Sequence, residues 1–166
     1  MAEERLTEAV PDAGSPPSND WWMYHADERH SGNAAGRSAI SSVSVQKMVS
    51  RHVIQLDHAI ISVPAIVQGS IYVGTRSGNN GGTLYKIDLA TGAILGTFAV
   101  SFAGGGTWQS GIGSTPAVVG GHVYFTSLDG KAYCLDAATM KQVWATDFRH
   151  PDPAQHQPMN RPPAAC

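Results

Sequence analysis

The chain has 166 residues, 42% hydrophobic and only 14% charged, with 18 glycines, 10 prolines and a formal net charge of −2. That length carries one domain with a sizeable core, and the composition excludes a disordered chain or a coiled coil in favour of a strand-rich fold with many tight turns. The slight negative charge argues against a nucleic-acid binder, which needs a basic stripe, and no run of 18 apolar residues is present to span a bilayer.

Residues 1–19 hold Pro11, Gly14, Pro16 and Pro17 among few large apolar groups and read as a disordered leader. The acidic start Met1-Ala2-Glu3-Glu4-Arg5 lacks the apolar stretch of a secretory signal. Asp20-Trp21-Trp22-Met23-Tyr24 is an aromatic cluster, expected to anchor its segment on a core. Residues 25–39 read as an extended polar loop. His25 and His30 lie there near Asp27 and Glu28, but without a recognised metal-ligand spacing. Residues 47–56, rich in Val and Ile, read as one strand that contains His52.

From Ser62 the chain repeats itself. Ser62-Val63-Pro64-Ala65-Ile66-Val67-Gln68-Gly69-Ser70-Ile71-Tyr72-Val73 matches Ser114-Thr115-Pro116-Ala117-Val118-Val119-Gly120-Gly121-His122-Val123-Tyr124-Phe125, and Leu84-Tyr85-Lys86-Ile87-Asp88-Leu89-Ala90-Thr91 matches Ala132-Tyr133-Cys134-Leu135-Asp136-Ala137-Ala138-Thr139. A period of about 50 residues belongs to propellers or solenoids. Each copy divides into four short strands, at 64–67, 70–75, 83–88 and 93–100, then at 116–119, 122–127, 131–136 and 141–147. Hairpin signals such as Gly120-Gly121 and Asp129-Gly130 join them, so the sheets are antiparallel. The fold class is therefore all-β: two four-stranded antiparallel blades of an incomplete β-propeller, preceded by an outer strand. Cys134 reads as a small buried hydrophobe; a bridge to Cys166 remains open, with no spacing to support it.

The turn between the third and fourth strands of each copy resembles the docking pattern Ala-x-Asp-x-x-Thr-Gly-x-x-x-Trp of the pyrroloquinoline-quinone (PQQ) repeat family. The second copy matches at Asp136, Thr139 and Trp144, the first at Asp88, Thr91 and Gly92. Both depart from the pattern: Gly96 stands at the tryptophan position, Met140 at the glycine position, and Lys86 and Cys134 at the alanine positions. Asp20-Trp21 followed by Gly32 is similar to the usual entry into such propellers. The resemblance runs over residues 20–147. It implies that Asp88, Thr91, Gly92, Asp136, Thr139 and Trp144 turn and dock blades.

Two blades leave an open arc, whereas a closed ring needs at least about four. The expectation is a segment of a longer protein, in which residues 148–166 lead to a further blade, or a protomer that self-associates. In relatives a strand like 47–56 closes the ring against the C-terminal end.

The long connections at 76–82, 101–113 and 148–166 all fall on one face of the blades, the better place for a ligand. Candidates there are Arg76, Asn79, Asn80, Trp108, Gln109, Arg149, His150, Asp152 and His156. Gly104-Gly105-Gly106 lacks the Lys-Ser/Thr of a phosphate loop and joins strand to strand. No catalytic residue and no metal ligand set stands out, and whether the chain is an enzyme is left open. The adjacent cysteine pair that quinoprotein alcohol dehydrogenases carry beside their cofactor is absent. The resemblance implies a binding or assembly scaffold with a protein partner. Its alternative is the N-terminal part of a PQQ-dependent dehydrogenase that oxidises alcohols or sugars, with PQQ and Ca²⁺ held by the full-length protein. It also implies a periplasmic or secreted location.

Overall fold

The computed structural model describes residues 20–32, 40–77, 81–101 and 111–148. Nine strands follow one another among them: β1 (Ala59–Ile60), β2 (Ala65–Val67), β3 (Ser70–Arg76), β4 (Gly82–Asp88), β5 (Ile94–Val100), β6 (Ala117–Val119), β7 (His122–Ser127), β8 (Lys131–Asp136) and β9 (Gln142–Asp147). Every pairing is antiparallel. β2 and the two-residue β1 both pair with β3, and the first sheet continues through β4 and β5; the second sheet runs β6-β7-β8-β9. These are the two predicted blades, and the element bounds agree with the repeat to within a residue or two.

Side-chain alternation decides what each blade buries. Across the first sheet, Tyr72 is opposite Lys86 and Lys86 opposite Gly96, while Leu84 is opposite Phe98. This face packs against the second blade. Tyr72, Leu84 and Val100 join Val118, Val123, Phe125, Tyr133, Leu135 and Met140 in one core, with Ile112 from the connection between the blades. Phe98 lies edge-on to Phe125 and Tyr133, which stack on each other with centroids 5.1 Å apart. Leu84 is fully buried here, and truncating it to Ala would cost about 2–5 kcal/mol. The opposite face of the first blade buries Val73, Tyr85 and Ile87 under Ile54 and Leu56.

The predicted strand at 47–56 is not one. Val45–Lys47 form a single 3-10 turn, and residues 48–56 run on without a ladder partner. Ile54 and Leu56 turn inward while Val49 and Val53 face solvent. The segment covers a blade face but adds no strand to a sheet. The aromatic cluster does anchor. Trp21 exchanges backbone hydrogen bonds with Ile66, both at 2.7 Å, and the Trp22 carbonyl accepts from Val118 N at 2.8 Å, so one segment crosses the inner edges of both blades. Cys134 is wholly buried, as expected, and it is disulfide-bonded, the alternative that the sequence left open. Among the described residues no helix is long and apolar enough to cross a membrane.

Candidate functional site

The two motif turns are built alike. Asp88 Oδ1 accepts from the backbone N and hydroxyl of Thr91 at 2.7 and 2.8 Å; Asp136 Oδ1 accepts from the same groups of Thr139 at 2.7 and 2.6 Å. The threonine side-chain bonds, and then its backbone N–H, hold both carboxyls below the usual aspartate range. Gly92 takes the left-handed conformation at φ 75°, and Met140 adopts the same region at φ 58°. The Gly92 and Met140 N–H groups each donate to the turn aspartate's carbonyl at 2.8 Å.

Both departures from the motif meet at the seam between the blades. Met140 is buried against Gly96, filling room that a tryptophan at position 96 would occupy. Beside them Lys86 Nζ donates to the Ala137 carbonyl at 2.7 Å, and Tyr72 Oη donates to the same oxygen at 3.4 Å. The ammonium lies 5.8 Å from the centre of the Tyr72 ring. Burial, ahead of any charge effect, pushes the Tyr72 hydroxyl up from its ordinary value. A cleft of about 400 Å³ opens along this seam, lined by Val67, Tyr72, Lys86, Val118, Val119 and Asp136 among others. It lies at the tight turns, on the face opposite the long connections.

Two polar clusters sit at the other end of the blades, one buried around Asp129 and one at the surface around Asp57. Tyr133 Oη donates to Asp129 Oδ2 at 2.5 Å, while Asp129 Oδ1 accepts from Lys131 N at 3.2 Å. Burial first, and then the Asp129 carboxylate, push the Tyr133 hydroxyl far up. Asp57 accepts from the hydroxyls of Thr75 and Thr83, each at 2.7 Å, and lies 3.2 Å from His58 Nδ1. Burial works against the charge on Asp57, but the hydrogen bonds from Thr83 and Thr75 outweigh it and lower its pKa.

Of the long-loop candidates, Arg76 is half-buried at the end of β3, opposite Ala59. Asn79, Asn80, Trp108, Gln109, Arg149, His150, Asp152 and His156 lie outside the described residues. Trp144 is half-buried on the face of the second blade that points away from the first, tilted against Tyr124 with centroids 6.4 Å apart. His25 stacks on Tyr24 at 3.9 Å, and its Nδ1 lies 3.2 Å from the His30 carbonyl. His52 Nε2 lies 3.0 Å from the Ala90 carbonyl. Among the described residues no three His, Cys, Asp or Glu side chains come together as metal ligands. The Asp88 and Asp136 carboxylates are spent on turns and those of Asp57 and Asp129 on neighbouring hydroxyls, so these described residues form no cluster that fits a calcium ion.

The seam went unread in the sequence, although Lys86 and Met140 were visible as departures from the motif. So did the repeated serines. Ser62 Oγ bonds both the carbonyl and the N–H of Gly74, at 3.0 Å each, and Ser114 Oγ does the same with Thr126 at 2.8 and 2.9 Å. Each serine extends the innermost pairing of its blade by one side-chain rung, and its recurrence at a spacing of 52 residues was the available signal.

A family model described as "Outer membrane protein assembly factor BamB" matches residues 80–161. No curated protein matches the chain. Among solved structures, the quinohemoprotein alcohol dehydrogenase from Comamonas testosteroni superposes with a TM-score of 0.57 at 21% identity, covering 76% of this chain and 19% of its own. A europium-containing methanol dehydrogenase gives 0.57 at 18% identity, covering 78% and 23%. BamB from Moraxella catarrhalis gives 0.43 at 24% identity, covering 57% and 26%. The first two share the fold, and the chain spans about a fifth of their length.

Proposed function

We propose that this chain, built of PQQ-repeat propeller blades, is a binding or assembly scaffold that does no catalysis of its own. The observation that carries the reading is where the motif side chains are spent. Asp88, Thr91, Asp136 and Thr139 all close turns. Lys86 and Met140 bridge the seam between blades. Such a scaffold offers its long connections to a protein partner, with Arg76, Asn79, Asn80, Trp108, Gln109, Arg149, His150, Asp152 and His156 as the contact residues. The description of the matching family as an assembly factor supports that direction. A disulfide-bonded Cys134 suits an oxidising compartment such as the periplasm or the cell exterior.

The test adds PQQ, Ca²⁺ and an artificial electron acceptor to the full-length protein and follows dye colour with alcohols and sugars. The scaffold reading expects no substrate-dependent reduction. Alcohol- or sugar-dependent reduction overturns it in favour of a PQQ-dependent dehydrogenase, in which the cofactor supplies the redox chemistry.

A further inference from the structure

The cleft between the blades holds a cation, Lys86, that forms no ion pair among the described residues. Lys86 points from β4 into the seam, where the repeat-equivalent position of the second blade holds Cys134. The Ala137 carbonyl takes one hydrogen from its ammonium at 2.7 Å, and the Tyr72 ring flanks it at 5.8 Å. An ammonium carries three donors, and a neutral carbonyl satisfies one without balancing the charge. Lys86 makes no ion pair with any described residue. A charge drawn out of bulk water favours a partner of opposite sign.

The surroundings define that partner. About 400 Å³ of space adjoins the ammonium, enough for a small molecule. Val67, Val118 and Val119 give apolar wall, while Asp136 lies at the same cleft and is held ionised by Thr139. That carboxylate opposes a multiply charged anion such as phosphate and tolerates a single negative charge placed on Lys86. We propose that the cleft binds a small aliphatic monocarboxylate, its carboxylate on Lys86 Nζ and its hydrocarbon tail against Val67, Val118 and Val119. The site stands apart from the scaffold reading, which concerns the opposite face.

The experiment titrates sodium butyrate into the isotope-labelled full chain, with sodium chloride, sodium phosphate and butylammonium chloride at matched ionic strength as controls. The amide resonances of Val119, Gly121 and Ala137 are followed. Butyrate alone should give saturable shifts with Kd on the order of 1 mM, as expected for so few atoms. Lys86→Met should weaken binding at least about tenfold. Val119→Phe, which fills the cleft and leaves the lysine in place, should do the same. Shifts that do not saturate, that phosphate reproduces, or that persist in a folded Val119→Phe variant overturn the proposal, whether or not Lys86→Met folds.

Discussion

Met140 covers Gly96 so closely that a methyl group added at Gly96 would sit 2.9 Å from Met140 Cγ. One residue has shrunk where the motif is large, and the other has grown where the motif is small. Met140 accepts a left-handed backbone to do this, at a cost of about 1–2 kcal/mol for a residue with a Cβ.

The pair should therefore be strongly coupled. Gly96→Trp alone overfills the seam and should destabilise the chain by about 1–3 kcal/mol. Met140→Gly alone relieves the backbone but empties a buried site, with a net loss. The double variant should be more stable than the sum of the two changes predicts, by about 0.5–3 kcal/mol. Urea unfolding of the four proteins reads the coupling, and strict additivity would remove the complementarity.

Acid should loosen the motif turns. Asp88 and Asp136 have folded pKa values below their unfolded ones, so their stabilising contribution is complete above the unfolded value and is lost as pH falls through the folded one. The urea midpoint should fall below about pH 4. The fall should be shallower in Asp88→Asn and Asp136→Asn variants, which cannot titrate there. Midpoints measured from pH 7 to pH 2 check this, and parallel curves for all three proteins would count against it.

At the alkaline end Tyr133 should dominate. Its folded pKa is raised by burial and by Asp129, so its contribution is complete below the unfolded tyrosine value, near pH 10, and is lost as pH rises towards the folded one. Tyr133→Phe leaves Asp129 Oδ2 without its donor in a buried place and should cost about 1–3 kcal/mol at neutral pH. The same variant should lose the late-titrating phenol from the 295 nm absorbance profile. A profile unchanged from the parent would place that phenol elsewhere.

Asp57 ties the segment ahead of β1 to two strands at once, through Thr75 and Thr83. Asp57→Ala should cost about 1 kcal/mol and free residues 48–56 for proteolysis, because that segment has no ladder bonds of its own. Limited trypsin digestion at Arg51, timed against the parent, measures it. Equal cleavage rates would show that Ile54 and Leu56 hold the segment unaided.

The strands were legible because two independent signals agreed. The internal repeat marked each run, and glycine-bearing turns such as Gly120-Gly121 bounded it, so β7 and β8 match their predicted ends residue for residue. Residues 47–56 misled because richness in Val and Ile does not by itself make a strand, which also needs a backbone partner. The turn aspartates were legible from local spacing. The Lys86 clamp was not, because its acceptor Ala137 lies 51 residues away and is a backbone carbonyl, which no side-chain identity announces.

Each blade also carries a small irregularity in the same place. The pairing of β4 with β5 passes from Lys86–Gly96 to Ile87–Ile94, and that of β8 with β9 from Cys134–Trp144 to Leu135–Gln142. Leu95 and Val143 are thus surplus to the ladder, and both side chains are exposed. A chain that pairs strictly in twos would swap its inner and outer faces if one residue were lost. Here the outer strands hold a spare link, so deleting Leu95 or Val143 shortens the chain while Gly96 and Trp144 keep their sides. Length variation in this architecture has a place to be absorbed even within a strand.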